Sequence, residues 1–229
     1  MIYAISDLHL SLNGSKPMEV FGDDWVGYLS LIEQSWRSLV KDEDVVLLAG
    51  DLSWEMKLEG AVKDAEWVDA LPGKKLIIRG NHDYWWSSYN KVCLSLPSSI
   101  HAIQNNAIRI DGAVVCGSRG WTPTPEDGDP NDRKLWLREL TRMELALEDA
   151  TKLRQEGDRL IAMIHYPPFV GKFEPTDMTR LFDRYSVDTV VYGHIHGKHS
   201  FHKDIVEIER IKYYLTSTDM IGHHLVKID

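Results

Sequence analysis

Along the chain, short apolar runs alternate with longer stretches in which apolar positions recur every three or four residues. Residues 1–6 are an apolar run ending on Ser6 and predict a buried strand. Trp25, Leu29, Ile32, Trp36 and Leu39 follow at helical steps behind Asp23 and Asp24, which predicts a helix with one apolar stripe and an acidic cap. Residues 45–49 predict a second strand, 57–71 a helix stopped by Pro72 and Gly73, and 74–79 a third strand, so the first third reads βαβαβ. Between residues 100 and 117 the apolar runs shorten and alternate, with turn chemistry at Asn105-Asn106 and Asp111-Gly112, which predicts a small antiparallel stretch. A loop precedes a long helix with Trp136, Leu140, Met143, Leu147 and Ala150 on one face, and Gly157 is the candidate left-handed cap at its end. Residues 159–164 and 187–192 are strand-like, and the tail from 201 to 228 is β-rich. The predicted fold class is α/β, with two mixed sheets flanked by helices on both sides. No linker, repeat or shift of composition divides residues 1–229, which read as a single domain.

Composition narrows the classes of function. The 229 residues are 43% hydrophobic, which excludes disordered and fibrous proteins. Apolar runs reach five residues, far short of the ~20 that a membrane span needs. Asp7 falls where a signal peptide would still be apolar, and no basic start precedes it, so the cytoplasm is the expected location. Cys93 and Cys116 form no CxxC pair, which excludes a zinc knot or disulfide scaffold and fits small core residues in a reducing compartment. A net charge of −9 argues against nucleic acid or anionic lipid as partner, so a small anionic substrate would need positive charge supplied locally.

The candidate chemistry lies just beyond the predicted strands. Asp7 and His9 follow the first, Asp51 the second, Asn81 and His82 the third, His165 the strand at 159–164, and His194 with His196 the strand at 187–192. Parallel strands share one C-terminal edge, where open α/β sheets bind their ligands, so residues spread along the chain converge there. Asp7, His9, Asp51, Asn81, His165, His194 and His196 form a mixed nitrogen and oxygen set that suits Mn, Fe, Zn, Ni or Co, with Mn first among them. Seven ligands exceed one tetrahedral site. Two divalent ions sharing a carboxylate would use them all, activate a bridging water as nucleophile and clamp the oxygens of an in-line displacement. Against two aspartates such ions leave a surplus of about two positive charges, which answers the local need.

Asp7-Leu8-His9, Gly50-Asp51, Gly80-Asn81-His82-Asp83, His165 and Gly193-His194-Ile195-His196 resemble, in order, the five signature blocks of the calcineurin-like metallophosphoesterases. The resemblance spans residues 7 to 196 and implies a β-sandwich flanked by helices. It implies that Asp7, His9 and His196 hold one metal, that Asn81, His165 and His194 hold the other, and that Asp51 bridges. His82 would then stand beside the metals without ligating, stabilising phosphoryl charge or protonating the leaving oxygen. Asp83 either orients that imidazole or makes a turn hydrogen bond. Many relatives carry an acid three residues after the bridging aspartate; this chain has Trp54 there, with Glu55 next.

The function implied is a binuclear phosphohydrolase that cleaves a phosphomonoester, phosphodiester or phosphoanhydride of a small substrate by attack of a metal-bridging hydroxide. The alternative is a metal-binding interaction scaffold of the same fold. A serine hydrolase would need a GxSxG elbow, which the chain lacks. Several other features have paired readings. The Pro- and acid-rich segment 121–132 is a candidate loop over the site; its EF-hand-like spacing fails at Asp132 and Arg138. Trp85 and Trp86 either wall a pocket or pack in the core, and Arg79, Arg119 and Arg133 either grip a second phosphate or make surface ion pairs. His101, His199, His202, His223 and His224 read as surface residues or as supports for the ligands.

Overall fold

The computed structural model describes residues 1–110, 112–197 and 205–229. The expectations at Asp111, His199, His202 and the first residues of the β-rich tail lie outside the described residues. Two sheets pack face to face. In the first, β1 (Ile2–Ile5), β2 (Val45–Leu48), β3 (Lys74–Ile77) and β4 (Ile100–Ala102) run parallel in that order, and β11 (Val226–Lys227) joins the free side of β1 antiparallel. The second runs β5 (Asn106–Ile110), β6 (Ala113–Ser118), β7 (Arg159–Ile164), β8 (Thr189–Tyr192), β10 (Ile211–Leu215), β9 (Ile205–Ile208). Its four middle strands are parallel and its two edge strands antiparallel. Both sheets are therefore mixed, as expected, and their parallel strands carry the site.

Each central strand is apolar on both faces because both faces are covered. In β1, Ile2 and Ala4 point between the sheets, where they meet Leu47, Leu76, Ile161 and Val191; Tyr3 and Ile5 point outward. The outer face of the first sheet is closed by α1 (Tyr28–Leu39), α2 (Leu58–Asp69) and α3 (Tyr89–Ser95), with Ile32, Trp36, Val68 and Val92 fully buried. The second is closed by α4 (Pro130–Leu153) and α5 (Asp177–Arg184) through Trp136, Met143, Leu147 and Phe182. Asp129 caps α4 by accepting the N–H groups of Asn131 and Asp132, ahead of Pro130 in the first turn.

Several predicted boundaries move for identifiable reasons. Asp23 and Asp24 cap no α-helix: they lie in a 3₁₀ turn, Asp23–Trp25, bracketed by Gly22 and Gly27 at φ 138° and 71°, and α1 starts only at Tyr28. Trp25 still reaches the core that α1 serves. Asn105-Asn106 is not a hairpin turn: Asn105 (φ 61°) carries the chain from β4 in the first sheet to β5 in the second, and the antiparallel pair is β5–β6. Gly157 (φ 85°) does not cap α4, which ends at Leu153. Cys116 is buried as expected, whereas Cys93 is exposed on α3, a helix too short to show a period in the sequence. Trp85 and Trp86 pack in the core of the first sheet. Among the described residues, no helix is long and apolar enough to cross a membrane.

Trp36 is fully buried and its indole N–H donates to the Pro72 carbonyl at 2.9 Å. Trp36→Ala is expected to cost about 3–5 kcal/mol of stability. Urea denaturation checks this, and a cost below about 1 kcal/mol would show that α1 is not anchored there.

Candidate metal centre

The strands deliver their polar residues by bending sharply at one edge. Past β1, the Ser6 N–H donates to the Thr216 carbonyl at 2.7 Å, and the Thr218 N–H donates back to Ser6 at 3.1 Å, so the two sheets are stitched together there. Asp7, His9, Asp51 and His194 all have left-handed backbones, at φ 57°, 47°, 54° and 72°. For non-glycine residues this conformation costs on the order of 1–3 kcal/mol each, and it clusters at functional sites. The glycines of the motifs have a steric role. Gly50 (φ 97°) would place a Cβ 2.7 Å from His165 Nδ1 and 2.8 Å from the Gly80 backbone, and a Cβ on Gly80 would collide with the Asp51 carboxylate.

All seven candidate ligands meet at this edge. Asn81 Oδ1 lies 2.6 Å from His165 Nε2 and 2.8 Å from His194 Nδ1, which brings together the three atoms expected around one ion. Asp7, His9 and His196, expected around the other, form a second group with candidate ligand atoms within 4.8 Å of one another. Asp51 lies between: its Oδ2 is 3.4 Å from His165 Nε2 and 3.8 Å from His9 Nε2. That oxygen is buried and accepts no hydrogen bond, while Oδ1 accepts the His82 N–H at 2.7 Å. A buried carboxylate oxygen without a donor, facing imidazole nitrogens, is what a missing cation would satisfy. His165 Nδ1 donates to the Ala49 carbonyl at 2.9 Å, which leaves Nε2 to face the site. The donor set therefore fits two divalent ions.

Burial and charge divide the histidines into pairs. Burial works against the charge of every one of them. For His165 the Asp51 carboxylate overcomes it and raises the pKa to about 9; for His196 the hydrogen bonds to Asp219 and Asp7 raise it to about 10. Burial prevails at His9 and His194, which are lowered to about 4. Asp7 is pushed up by burial, but its hydrogen bond to His196 and the charges of His165, His196 and His9 hold it well below the usual carboxylate range.

Among the described residues, the Asp83 carboxylate accepts no hydrogen bond from the His82 ring. Asp83 is fully buried, and its carboxylate accepts the N–H groups of Gly80 (2.7 Å), Asp51 (2.9 Å), Leu52 (2.9 Å) and Ser53 (3.3 Å) and the indole N–H of Trp85 (2.9 Å). These bonds match the hydrogen-bonding reading of Asp83 rather than the orienting one: the side chain ties the Asp51 loop to the Asn81 loop. Burial, then repulsion from Asp51, pushes its pKa up to about 6. His82 Nδ1 is buried without a hydrogen-bond partner, and the ring is placed by Trp54, with centroids 4.4 Å apart, and by Tyr84, at 6.0 Å. Trp54, three residues after Asp51, also stacks on His9 at 4.7 Å.

Asp219 was not foreseen. Its Oδ1 accepts from His196 Nδ1 at 2.8 Å and its Oδ2 from the Gly197 N–H at 3.1 Å, fixing the outermost ligand. The signal was available, since Asp219 lies just beyond β10 at the same edge as the others. His223 is buried: Nε2 donates to the Asp24 carbonyl, and Nδ1 accepts from Thr218. His101 and His224 are exposed. The segment 121–132 approaches through Trp121, 5.2 Å from Tyr166, which lies 4.3 Å from His194. Its Asp129 and Asp132 are occupied by the α4 cap and the Trp121 indole. Arg133 is turned away, donating to the Thr124 carbonyl.

Comparison with known proteins identifies the family and the fold. The calcineurin-like phosphoesterase family matches residues 1–198, and the chain belongs to that family. Such proteins typically bind two divalent metals, and the Asp and His groups here could hold them. Gene 66 protein of Mycobacterium phage L5 is 31% identical over 78 residues, 34% of this chain and 37% of that protein, so the chain matches just over a third of that relative's length. Among solved structures, TT1561 of Thermus thermophilus superposes with a TM-score of 0.60 at 12% identity, covering 98% of this chain and 96% of that one. AQ665, a protein of unknown function from Aquifex aeolicus, superposes with a TM-score of 0.53 at 17% identity, covering 99% and 94%. At these identities the structures share the fold.

Asp83→Asn leaves one accepting oxygen and turns an amide donor toward other donors. It is expected to cost about 2–4 kcal/mol and to lower metal content, as read by urea denaturation and elemental analysis; wild-type values for both would show that the carboxylate does not hold the loops. Metal loading must displace the protons that His165 and His196 hold at neutral pH, so loading at pH 7 is expected to release protons and affinity to rise as pH is raised from 6 to 8. In metal-free protein the same raised values stabilise the fold fully below pH 6.5, and that contribution is lost as pH climbs through about 9 and 10. Calorimetry in buffers of different ionisation enthalpy measures the release, and pH-independent affinity without proton release would contradict this charge assignment.

Proposed function

We propose that this chain is a binuclear metal-dependent phosphohydrolase acting on a small phosphorylated substrate. The observation that carries the reading is the placement of Asp51, whose unpartnered Oδ2 faces His165 and His9 between two groups of candidate ligands. Asp7, His9 and His196 would hold one ion, Asn81, His165 and His194 the other, and Asp51 both, with manganese the favoured metal. When bound, the ions supply Lewis acidity, which acidifies a water and withdraws charge from a phosphoryl group.

The chain's own residues do the rest. Asp83 and the His82 N–H hold Asp51 in position. His82, half-buried beside this edge, presents its imidazole to a cavity of about 420 Å³ that His9, Trp25, Trp54 and His196 also line. From there it can donate a hydrogen bond to a phosphoryl oxygen or a proton to the leaving oxygen. Burial lowers its pKa, which favours the neutral ring and hence hydrogen-bond donation to a phosphoryl oxygen over protonation of the leaving oxygen. The pairing of β11 with β1 brings the end of the chain against its start, supporting one functional unit over residues 1–229. The free thiols of Cys93 and Cys116 support a reducing compartment such as the cytoplasm.

Hydrolysis of p-nitrophenyl phosphate and bis-p-nitrophenyl phosphate by metal-stripped, manganese-reloaded protein tests the reading. Asp51→Asn is expected to lower occupancy of both sites and abolish turnover. His82→Ala is expected to keep both metals and lose on the order of 10² to 10⁴ in rate. Full metal loading with no turnover of either substrate or of a natural phosphoester panel would favour the scaffold.

A further inference from the structure

Where the ends of β3 and β6 meet the first half of α4, four guanidiniums gather around one cavity of about 200 Å³: Arg79, Arg119, Arg138 and Arg142. Glu139 is the one carboxylate among the described residues lining it. It is completely buried, and its Oε1 pairs with Arg142 at 2.7 Å and Arg138 at 3.2 Å. Arg79 and Arg119 form no ion pair among the described residues, and Arg79 Nε is buried without a hydrogen-bond partner. Arg119 lies over the Trp121 ring, 4.9 Å from its centroid, and does not reach a carboxylate. Burial works against its charge; Glu139 and Tyr166 offset part of that, and Arg79 and Arg138 add to it.

Four guanidiniums against one carboxylate concentrate positive charge in a protein whose net charge is −9. Like charges held together in a partly desolvated recess repel one another, and an anion relieves the repulsion. Guanidinium forks match phosphate oxygens in shape as well as charge. The recess also adjoins the candidate metal centre. Arg79 is two residues before Asn81, and the Arg119 carbonyl accepts the N–H groups of His165 at 3.0 Å and Tyr166 at 3.3 Å. Trp121, under Arg119, leads through Tyr166 to His194 by ring separations of 5.2 Å and 4.3 Å.

We propose that this arginine pocket is a second anion subsite, and that it holds a phosphoryl group of the substrate other than the one presented to the metal ligands. The substrate class is then a small molecule with at least two phosphoryl groups. The assignment of the ligand to a substrate rests on the phosphohydrolase reading; the anion site itself does not. A long polyanion is disfavoured because it would extend beyond the recess over a protein whose net charge is −9.

Inorganic pyrophosphate is the probe for the pocket. Titrated calorimetrically into EDTA-treated protein at low salt, it is expected to bind, with affinity falling about tenfold or more in Arg79→Gln and in Arg119→Gln. Arg133→Gln, whose guanidinium faces Thr124, serves as the control that keeps wild-type affinity. Circular dichroism melts qualify each variant as folded, and either of the two pocket variants alone suffices. Absence of binding to wild type, or equal binding in both variants, overturns the pocket. In the manganese-loaded enzyme, Arg119→Gln is expected to lower the ratio of kcat/KM for a nucleoside bisphosphate to that for p-nitrophenyl phosphate by about tenfold. Arginine-dependent pyrophosphate binding without turnover of any phosphoester keeps the pocket and removes the catalytic reading. A short single-stranded oligonucleotide that binds the same arginines more tightly than pyrophosphate overturns the small-molecule assignment.

Discussion

Two carboxylates, Asp7 and Asp51, lie almost wholly buried at the edge where the sheets meet, and a buried pair of like charges survives only beside compensating positive charge. The surrounding histidines supply it in protons. His165 and His196 are raised until they are cationic at neutral pH, whereas His9 and His194 are lowered until they are neutral, so two imidazoliums balance two carboxylates. Two divalent ions in place of those two protons would take the same cluster from about neutral to about two positive charges. The change would give an acidic protein a local cationic point. It would also couple occupancy of the centre to pH.

This crowding has a backbone cost that the rest of the fold must offset. Four of the seven candidate ligands have left-handed φ, a strain of order 1–3 kcal/mol at each residue. Such angles persist only where the surroundings over-determine them. Asp83 gathers four backbone N–H groups from two loops and one indole, Ser6 binds Asp7, and Asp219 holds His196. Each tie starts within a few residues of a strand end, so the rigidity of the two sheets is passed to the side chains through short levers.

The sequence made the central strands legible because each is apolar on both faces, and it made the candidate ligands legible because parallel strands send their C-terminal ends to one edge. What it concealed was set by distance or by local competition. Asn105 resembles a hairpin turn by composition, yet the pairing of β4 with β3 assigns it to a crossover between sheets. Trp25 has helical spacing to Leu29, but Gly22 and Gly27 break the helix before it can include both. Asp83 stands beside His82 in the chain, and adjacency suggested partnership; the donors that claim it come mostly from the Asp51 loop, about 30 residues upstream, which no local pattern shows. Asp219 belongs to the same edge, though it lies beyond the last motif.

The topology that gathers the candidate ligands also decides what flanks them. His9 and His196 stand beside loops that carry Trp25 and Trp54, so that side of the centre is aromatic, with the nearly parallel rings of Phe21 and Trp54 6.4 Å apart. Arg79 and Asn81 both follow β3, and His165 follows β7, whose neighbour β6 leads to Arg119, so the other side is cationic. On the proposed reading, a ligand spanning the centre would meet an aromatic wall at one end and guanidiniums at the other. These surfaces favour different parts of a molecule, because stacking rewards a ring and the arginines reward an anion. On that reading, the order of the strands would set the orientation of the ligand across the proposed metal ligands before any contact with the ions is counted.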